Sequence, residues 1–167
     1  MITQAAVKIS SFALTITMLS LISACSSQPV GSSVRPHSGN NHAAVQRVGE
    51  RAAAVALDQV GVPYRYGGTT NRGFDCSGLV QFSYRQAGKT VPRTTGELWS
   101  SSASVGRDDI QAGDLLFFSF EGKMSHVGMY VGEQQFVHAP SSGRTVTVAE
   151  LSSPYYASAL LRVARPR

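Results

Sequence analysis

Cysteine is scarce in this chain, with only Cys25 and Cys76 in 167 residues, so a scaffold stapled by several disulfides is excluded. Long apolar runs are scarce too. The most apolar stretch, from Ile9 to Ile22, is interrupted by Ser10, Ser11, Thr15, Thr17 and Ser20 and falls short of the roughly 20 residues a bilayer crossing needs. Charged residues make up 15% of the chain, with a formal net charge of +5 and the basic residues scattered singly. No basic cluster interleaved with aromatics is present, so no nucleic-acid groove is expected. The chain also lacks internal repeats and any H-E-x-x-H pair.

What is there begins at the N-terminus. Residues 1–24 place one cation, Lys8, before the apolar run and end in small residues, the layout of an export signal. Its removal leaves a net charge of +4. Leu21-Ile22-Ser23-Ala24-Cys25 resembles the bacterial lipobox, in which small residues admit the peptidase and the cysteine carries the lipid. Cys25 would then be the first residue of the mature chain. Ser26 stands where that resemblance would put an inner-membrane aspartate, which implies a lipid anchor on the periplasmic face of the outer membrane. Residues 25–42 are mostly Ser, Gly, Pro, Asn and His, with too little to bury to offset their own ordering entropy, and read as a tether. Residues 43–167 are long enough for one domain with a single core.

Within that domain, Ala-rich residues 50–60 predict a helix stopped by Gly61 and Pro63. Residues 61–73 carry Pro63, Gly67, Gly68 and Gly73, too many breakers for a regular element. Asp75 is placed to cap a helix that starts at Cys76, buries Leu79, Val80, Phe82 and Tyr84, and stops at Gly88. A short helix is expected near 94–100. Strands are expected at 115–118, 126–131, 135–139, 145–148 and 159–163, where apolar or alternating runs are divided by turn residues. Helices first and short, turn-linked strands second predict an α+β fold with an antiparallel sheet.

Cys76 is then a thiol with no partner in a chain routed for export, and a Cys/His pair is the commonest chemical reason for one. A thiolate attacks carbonyls, so the helix N-terminus and a nearby imidazolium are expected to lower the Cys76 pKa. Gly78 is expected to keep that turn open to solvent. The domain's histidines are His126 and His138, since His37 and His42 lie in the tether. Both can face the thiol, all three residues sharing one face of the sheet, only if paired residue numbers on the adjacent antiparallel strands sum to an even number. A two-residue turn at Gly132-Glu133 would separate them, so an odd loop, 132–134, is predicted, with Gly128 opposite His138 and His126 diagonal to it, about 7–8 Å away. One imidazole would take the thiol proton while the other fixes its tautomer. The same three residues also fit an open zinc site, but no carboxylate is placed as a base for bound water. Tyr66 is read as a packing aromatic, and Asp75 and Ser77 as either first-turn residues or substrate contacts.

The runs Tyr64-Arg65-Tyr66-Gly67-Gly68, Asp75-Cys76-Ser77-Gly78, Pro92-Arg93-Thr94, Gly113-Asp114-Leu115, His126-Val127-Gly128-Met129-Tyr130 and Phe136-Val137-His138-Ala139 resemble the NlpC family of bacterial cell-wall cysteine peptidases, most of all its small lipoprotein murein endopeptidases. The resemblance implies a papain-like core with the nucleophile's helix packed on a central antiparallel sheet. It implies Cys76 as nucleophile, His126 as general base, His138 as the residue orienting it and Tyr64 as a hydroxyl near the oxyanion. Asp75 and Ser77 match positions that contact the substrate's amino group in some members, and Arg93 is matched without an assigned role. The implied reaction needs no cofactor: amide hydrolysis in peptidoglycan stem peptides, with the D-alanyl-diaminopimelate cross-link favoured. The γ-D-glutamyl-diaminopimelate bond, an amidase or acyltransferase on the same thiol, and a non-enzymatic wall-binding lipoprotein are the alternatives.

Overall fold

The computed structural model describes residues 38–167. The expected export signal, Cys25 and most of the tether lie outside the described residues. Helix α1, Ser38–Leu57, begins earlier than expected, so the last residues assigned to the tether are helical. Ala52 and Ala56 are wholly buried on it, the small side chains letting α1 lie close to its neighbours. Among the described residues no helix is long and apolar enough to cross a membrane.

The glycine-rich loop holds a two-stranded hairpin, β1 Thr69–Thr70 and β2 Gly73–Phe74, where breakers had suggested no regular element. Helix α2, Cys76–Gln86, starts at the thiol, is capped by Asp75 and stops before Gly88 at φ +87, as its sequence predicts. Helix α3, Thr95–Ser101, opens with a capping box in which Thr94 and Glu97 satisfy each other's backbone N–H. Strand β3, Ser102–Ser104, follows, then β4 Leu115–Phe120, β5 Lys123–Gly132, β6 Gln135–His138, β7 Thr147–Glu150, helix α4 Pro154–Ala159 and β8 Leu160–Pro166. The six longer-range strands form one antiparallel sheet in the order β3-β8-β4-β5-β6-β7. Neither β3 nor α4 was expected: three small polar residues and a six-residue Tyr/Ala/Ser segment carry no readable period.

Strand alternation divides the core into two faces. Leu115, Phe117, Val127, Met129, Val137 and Ala164 face α1 and α2, with Leu79, Val80 and Tyr84 packed against them. Leu116, Phe118, Tyr130, Phe136 and Val163 face the other way and are covered by Leu151, Tyr156 and Ile110.

The β5–β6 register has the predicted parity, reached by a different route. Met129 pairs with Val137 and Tyr130 with Phe136, which puts Gly128 opposite His138. The connection is a two-residue turn, Glu133-Gln134, both at positive φ, closed by Gly132 against Gln135, and the register shift falls between Tyr130 and Gly132. Val131 is the extra residue, a bulge that restores the parity which a two-residue turn alone would have reversed.

Candidate active site

Cys76 is a free, partly buried thiol on the first turn of α2. Its hydrogen-bond partner is the Thr95 hydroxyl at the start of α3, with Sγ to Oγ1 at 3.7 Å, and the backbone N–H groups of Val127 and Ser77 are directed at the sulfur. The Val127 N–H is available because of the sheet's end. The Tyr130 N–H donates to Asp114 on the β4 side, so three residues back the N–H of Val127 points toward β6, and β5–β6 pairing has stopped at Met129 and Val137. The thiol therefore lies against the peptide that joins His126 to Val127. Burial pushes its pKa above the ordinary value, against the pull of Thr95, Val127 and Ser77, and Asp75 adds to the rise. This corrects the expected lowering: burial outweighs the hydrogen bonds from Thr95, Val127 and Ser77, and the resting sulfur is protonated at neutral pH.

The two imidazoles form one unit. His126 Nε2 and His138 Nδ1 are 2.8 Å apart, and His138 Nε2 is 3.3 Å from the Tyr156 hydroxyl on α4. Their rings pack with Phe118, Phe136 and Tyr156. Gly128 makes this possible, because a Cβ there would stand 2.5 Å from the Phe136 ring. Burial lowers His126 to about 4, while burial followed by the charges of His126 and Arg144 lowers His138 to about 3. Both rings are neutral at neutral pH, as a shared N–H···N bond requires. The thiol and the imidazoles do not share one face of the sheet, as the sequence reading had it. The thiol approaches β5 from the helix face and the rings belong to the opposite one, and they converge on the His126–Val127 peptide where β6 has ended. Among the described residues no hydrogen bond joins Sγ to an imidazole.

Asp75 closes the other side. Its Oδ1 accepts from the Gly78 N–H at 2.6 Å, Arg93 Nη1 at 3.0 Å and Ser77 Oγ at 3.3 Å, and its Oδ2 accepts from Arg93 Nη2 at 2.6 Å and the Gly67 N–H at 2.9 Å. Arg93 Nη1 also donates to Ser77 Oγ at 2.9 Å. A carboxylate offers about four lone-pair positions, and five donors already fill those of Asp75, whereas Ser77 Oγ donates to Asp75 and accepts only from Arg93, so a substrate amine reaching this pair would meet the free lone pair of Ser77. Arg93 thereby acquires a role the sequence had not assigned. Gly78 is also corrected: it is buried, and its missing side chain makes room for the Gly68 carbonyl, not for solvent. Tyr64 lies beside this cluster, its pKa raised first by burial and then by Cys76 and Asp75. Tyr66, read as a packing residue, is 90% exposed, because the chain turns at Gly67, φ +73. Thr95 and Tyr156 were missed. The capping pattern at Thr94 marked the start of α3 and hence Thr95, whereas nothing near Tyr156 in sequence pointed to His138.

The match to known proteins decides the lineage: residues 61–165 fit the model of the NlpC/P60 family. The chain belongs to the NlpC/P60 family. It is 38% identical over 120 residues to the murein DD-endopeptidase MepH of Escherichia coli, covering 68% of this chain and 44% of that protein. It is 38% identical over 109 residues to a γ-D-glutamyl-L-lysine dipeptidyl-peptidase of Bacillus subtilis, covering 64% of this chain and 37% of that protein. The chain thus spans less than half the length of either relative. A crystal structure of an NlpC/P60 family protein from Bacillus cereus superposes with a TM-score of 0.66 at 32% identity, covering 70% of this chain and 39% of that one. The α+β arrangement described above is the NlpC/P60 fold.

Proposed function

We propose that this chain is a peptidoglycan endopeptidase that hydrolyses a stem-peptide amide through a thioester on Cys76. The observation that carries the reading is a free thiol on the first turn of α2, packed against the core layer that contains Val127, with the adjoining His126 held by His138 at 2.8 Å. His126 uses Nε2 for that contact, so Nδ1 is the nitrogen left to take the thiol proton. Because sulfur and imidazole are both neutral at rest, attack is general-base assisted, the proton moving to His126 as sulfur bonds to the carbonyl carbon. The oxyanion forms near the Cys76 N–H and the Tyr64 hydroxyl. On collapse, His126 returns the proton to the leaving nitrogen, the C–N bond breaks, and water hydrolyses the thioester by the same route. His138 is the positioning residue for His126. The two imidazole nitrogens directed at each other are not directed at a common point with the sulfur, which argues against the zinc alternative.

The D-alanyl-diaminopimelate cross-link is the favoured bond. A dipeptidyl-peptidase must hold a free amino terminus, and of the two residues matched to that task the Asp75 carboxylate already accepts from Arg93, Gly67, Gly78 and Ser77 here, whereas an endopeptidase acting on cross-links has no such requirement. Upstream, we propose a lipid on Cys25 and anchorage at the periplasmic face of the outer membrane, which would concentrate the enzyme near the wall. Mass spectrometry of the membrane-extracted protein should find diacylglycerol on an N-terminal Cys25. For the activity, purified cross-linked stem-peptide dimers with free amino termini are digested and the products weighed: monomer stems are expected, and dipeptide release would transfer the assignment to the γ-D-glutamyl bond.

A further inference from the structure

Beside the histidine pair is a cleft of about 350 Å³ lined by His138, Arg144, Thr145, Thr147 and Tyr156, among others. The segment that carries Arg144 is anchored. Its carbonyl accepts from the Tyr64 N–H at 2.8 Å, and the next residue, Thr145, bridges Pro63. The guanidinium itself is exposed and, among the described residues, forms no hydrogen bond or ion pair. By contrast, Arg93, Arg162 and Arg165 are each tied into the fold. Arg144 is near enough for its charge to act on both His138 and Tyr156. No carboxylate lines the cleft, and the remaining polar side chains on its wall are hydroxyls and the His138 ring. One unpaired guanidinium, hydroxyl donors and no negative charge suit a planar anion that takes two parallel N–H bonds.

We propose that Arg144 and this cleft form a carboxylate subsite for the stem peptide. The inference rests on the peptidase reading above and adds to it the feature of the substrate that is recognised. Three carboxylates are available in a cross-linked dimer: one on D-glutamate, one on the diaminopimelate centre that supplies the cross-link nitrogen, and one on the terminal D-alanine. Geometry favours the second. His126 must return a proton to the leaving nitrogen, so the group bonded to that nitrogen lies over the histidines, and the diaminopimelate carboxylate is one carbon away from it.

The test is a binding titration on the full chain carrying Cys76→Ala, with cross-linked muropeptide dimers unmodified, amidated at diaminopimelate, or amidated at glutamate. Amidation at diaminopimelate should weaken binding roughly ten- to hundredfold. Arg144→Gln in the same background should weaken the unmodified dimer by a similar factor and leave the amidated one unchanged, while Arg144→Lys should recover part of the loss. If amidation at glutamate has this effect instead, the subsite stands and reads the other carboxylate. Equal affinity for all three dimers, or an Arg144→Gln loss that is the same on each, overturns it. Turnover separates the two claims. Cys76 protein that cuts all three dimers alike keeps the peptidase and loses the subsite, and protein that cuts none while binding still depends on Arg144 keeps the subsite and loses the peptidase.

Discussion

A neutral imidazole has one N–H and one lone pair, so the contact between His126 and His138 can be made in two ways. If Tyr156 donates to His138 Nε2, then His138 Nδ1 donates to His126, and the remaining proton of His126 sits on Nδ1, where it blocks the thiol. If Tyr156 accepts instead, His138 carries its proton on Nε2, His126 donates from Nε2, and Nδ1 is free to act as the base. On the proposed mechanism the Tyr156 oxygen would thus be a positioning atom for a residue it does not touch. Tyr156→Phe should lower kcat about fivefold, the worth of one neutral hydrogen bond, with KM little changed. Nitrogen-15 shifts should move His138 from a single Nε2–H tautomer to a mixture. An unchanged tautomer alongside a lowered kcat would assign Tyr156 to packing alone. The pH profile carries a second expectation: with His126 depressed to about 4, kcat/KM should stay level from neutrality to about pH 5, and a fall centred on 6.5 would show the base to be solvated. At this scale the sequence was legible where chemistry needs a rare residue type in a fixed local setting, as at Cys76, His126 and His138. It was illegible where common hydroxyls act through tertiary contact, as at Thr95 and Tyr156.

Elements bring these residues together through register. The pairing of β5 with β6 decides whether the histidines meet, and it was readable because a period of two admits only odd or even answers. The device that sets it was not readable, since a bulge at Val131 is a choice among turn geometries of similar cost. The turn holds Glu133 at φ 51 and Gln134 at φ 58, a left-handed pair that L side chains other than Asn and Asp adopt at a cost. Replacing Glu133-Gln134 by Asn-Gly should raise stability by about 1 kcal/mol, or Tm by roughly 3–5 °C, with activity retained. A fall in Tm would mean that the side chains of Glu133 and Gln134 contribute more than the strain costs, since the bond from the backbone N–H of residue 134 to the Tyr130 hydroxyl survives the replacement. Helix α2 shows the opposite case: cap, apolar stripe and glycine stop were all local, and its bounds were read to within two residues.

Across the whole molecule, the site lies where two faces of one sheet meet at a strand that ends early. The sequence indicated two layers and an antiparallel sheet, but it put thiol and histidines on one face because the early end of β6 pairing is not a local property. Burying two neutral histidines also couples the fold to pH. Both folded pKa values lie below the ordinary 6.5, so the unfolded chain binds more protons between about pH 3 and 6.5, and the contribution to stability, complete above 6.5, is lost as pH falls through that window. The slope should reach at most about 2.7 kcal/mol per pH unit for two such groups. Denaturation followed from pH 7 to 4 should show this decline, and a His126→Gln, His138→Gln double variant should be flatter; equal slopes would place the acid sensitivity elsewhere. A covalent acyl-enzyme on Cys76 can be trapped by rapid-quench mass spectrometry of the protein mixed with cross-linked muropeptides. A stem-peptide adduct is expected on the peptide that contains Cys76, formed and lost in step with cleavage and absent from Cys76→Ala. Cleavage that continues in Cys76→Ala, or an adduct on any other residue, would contradict it.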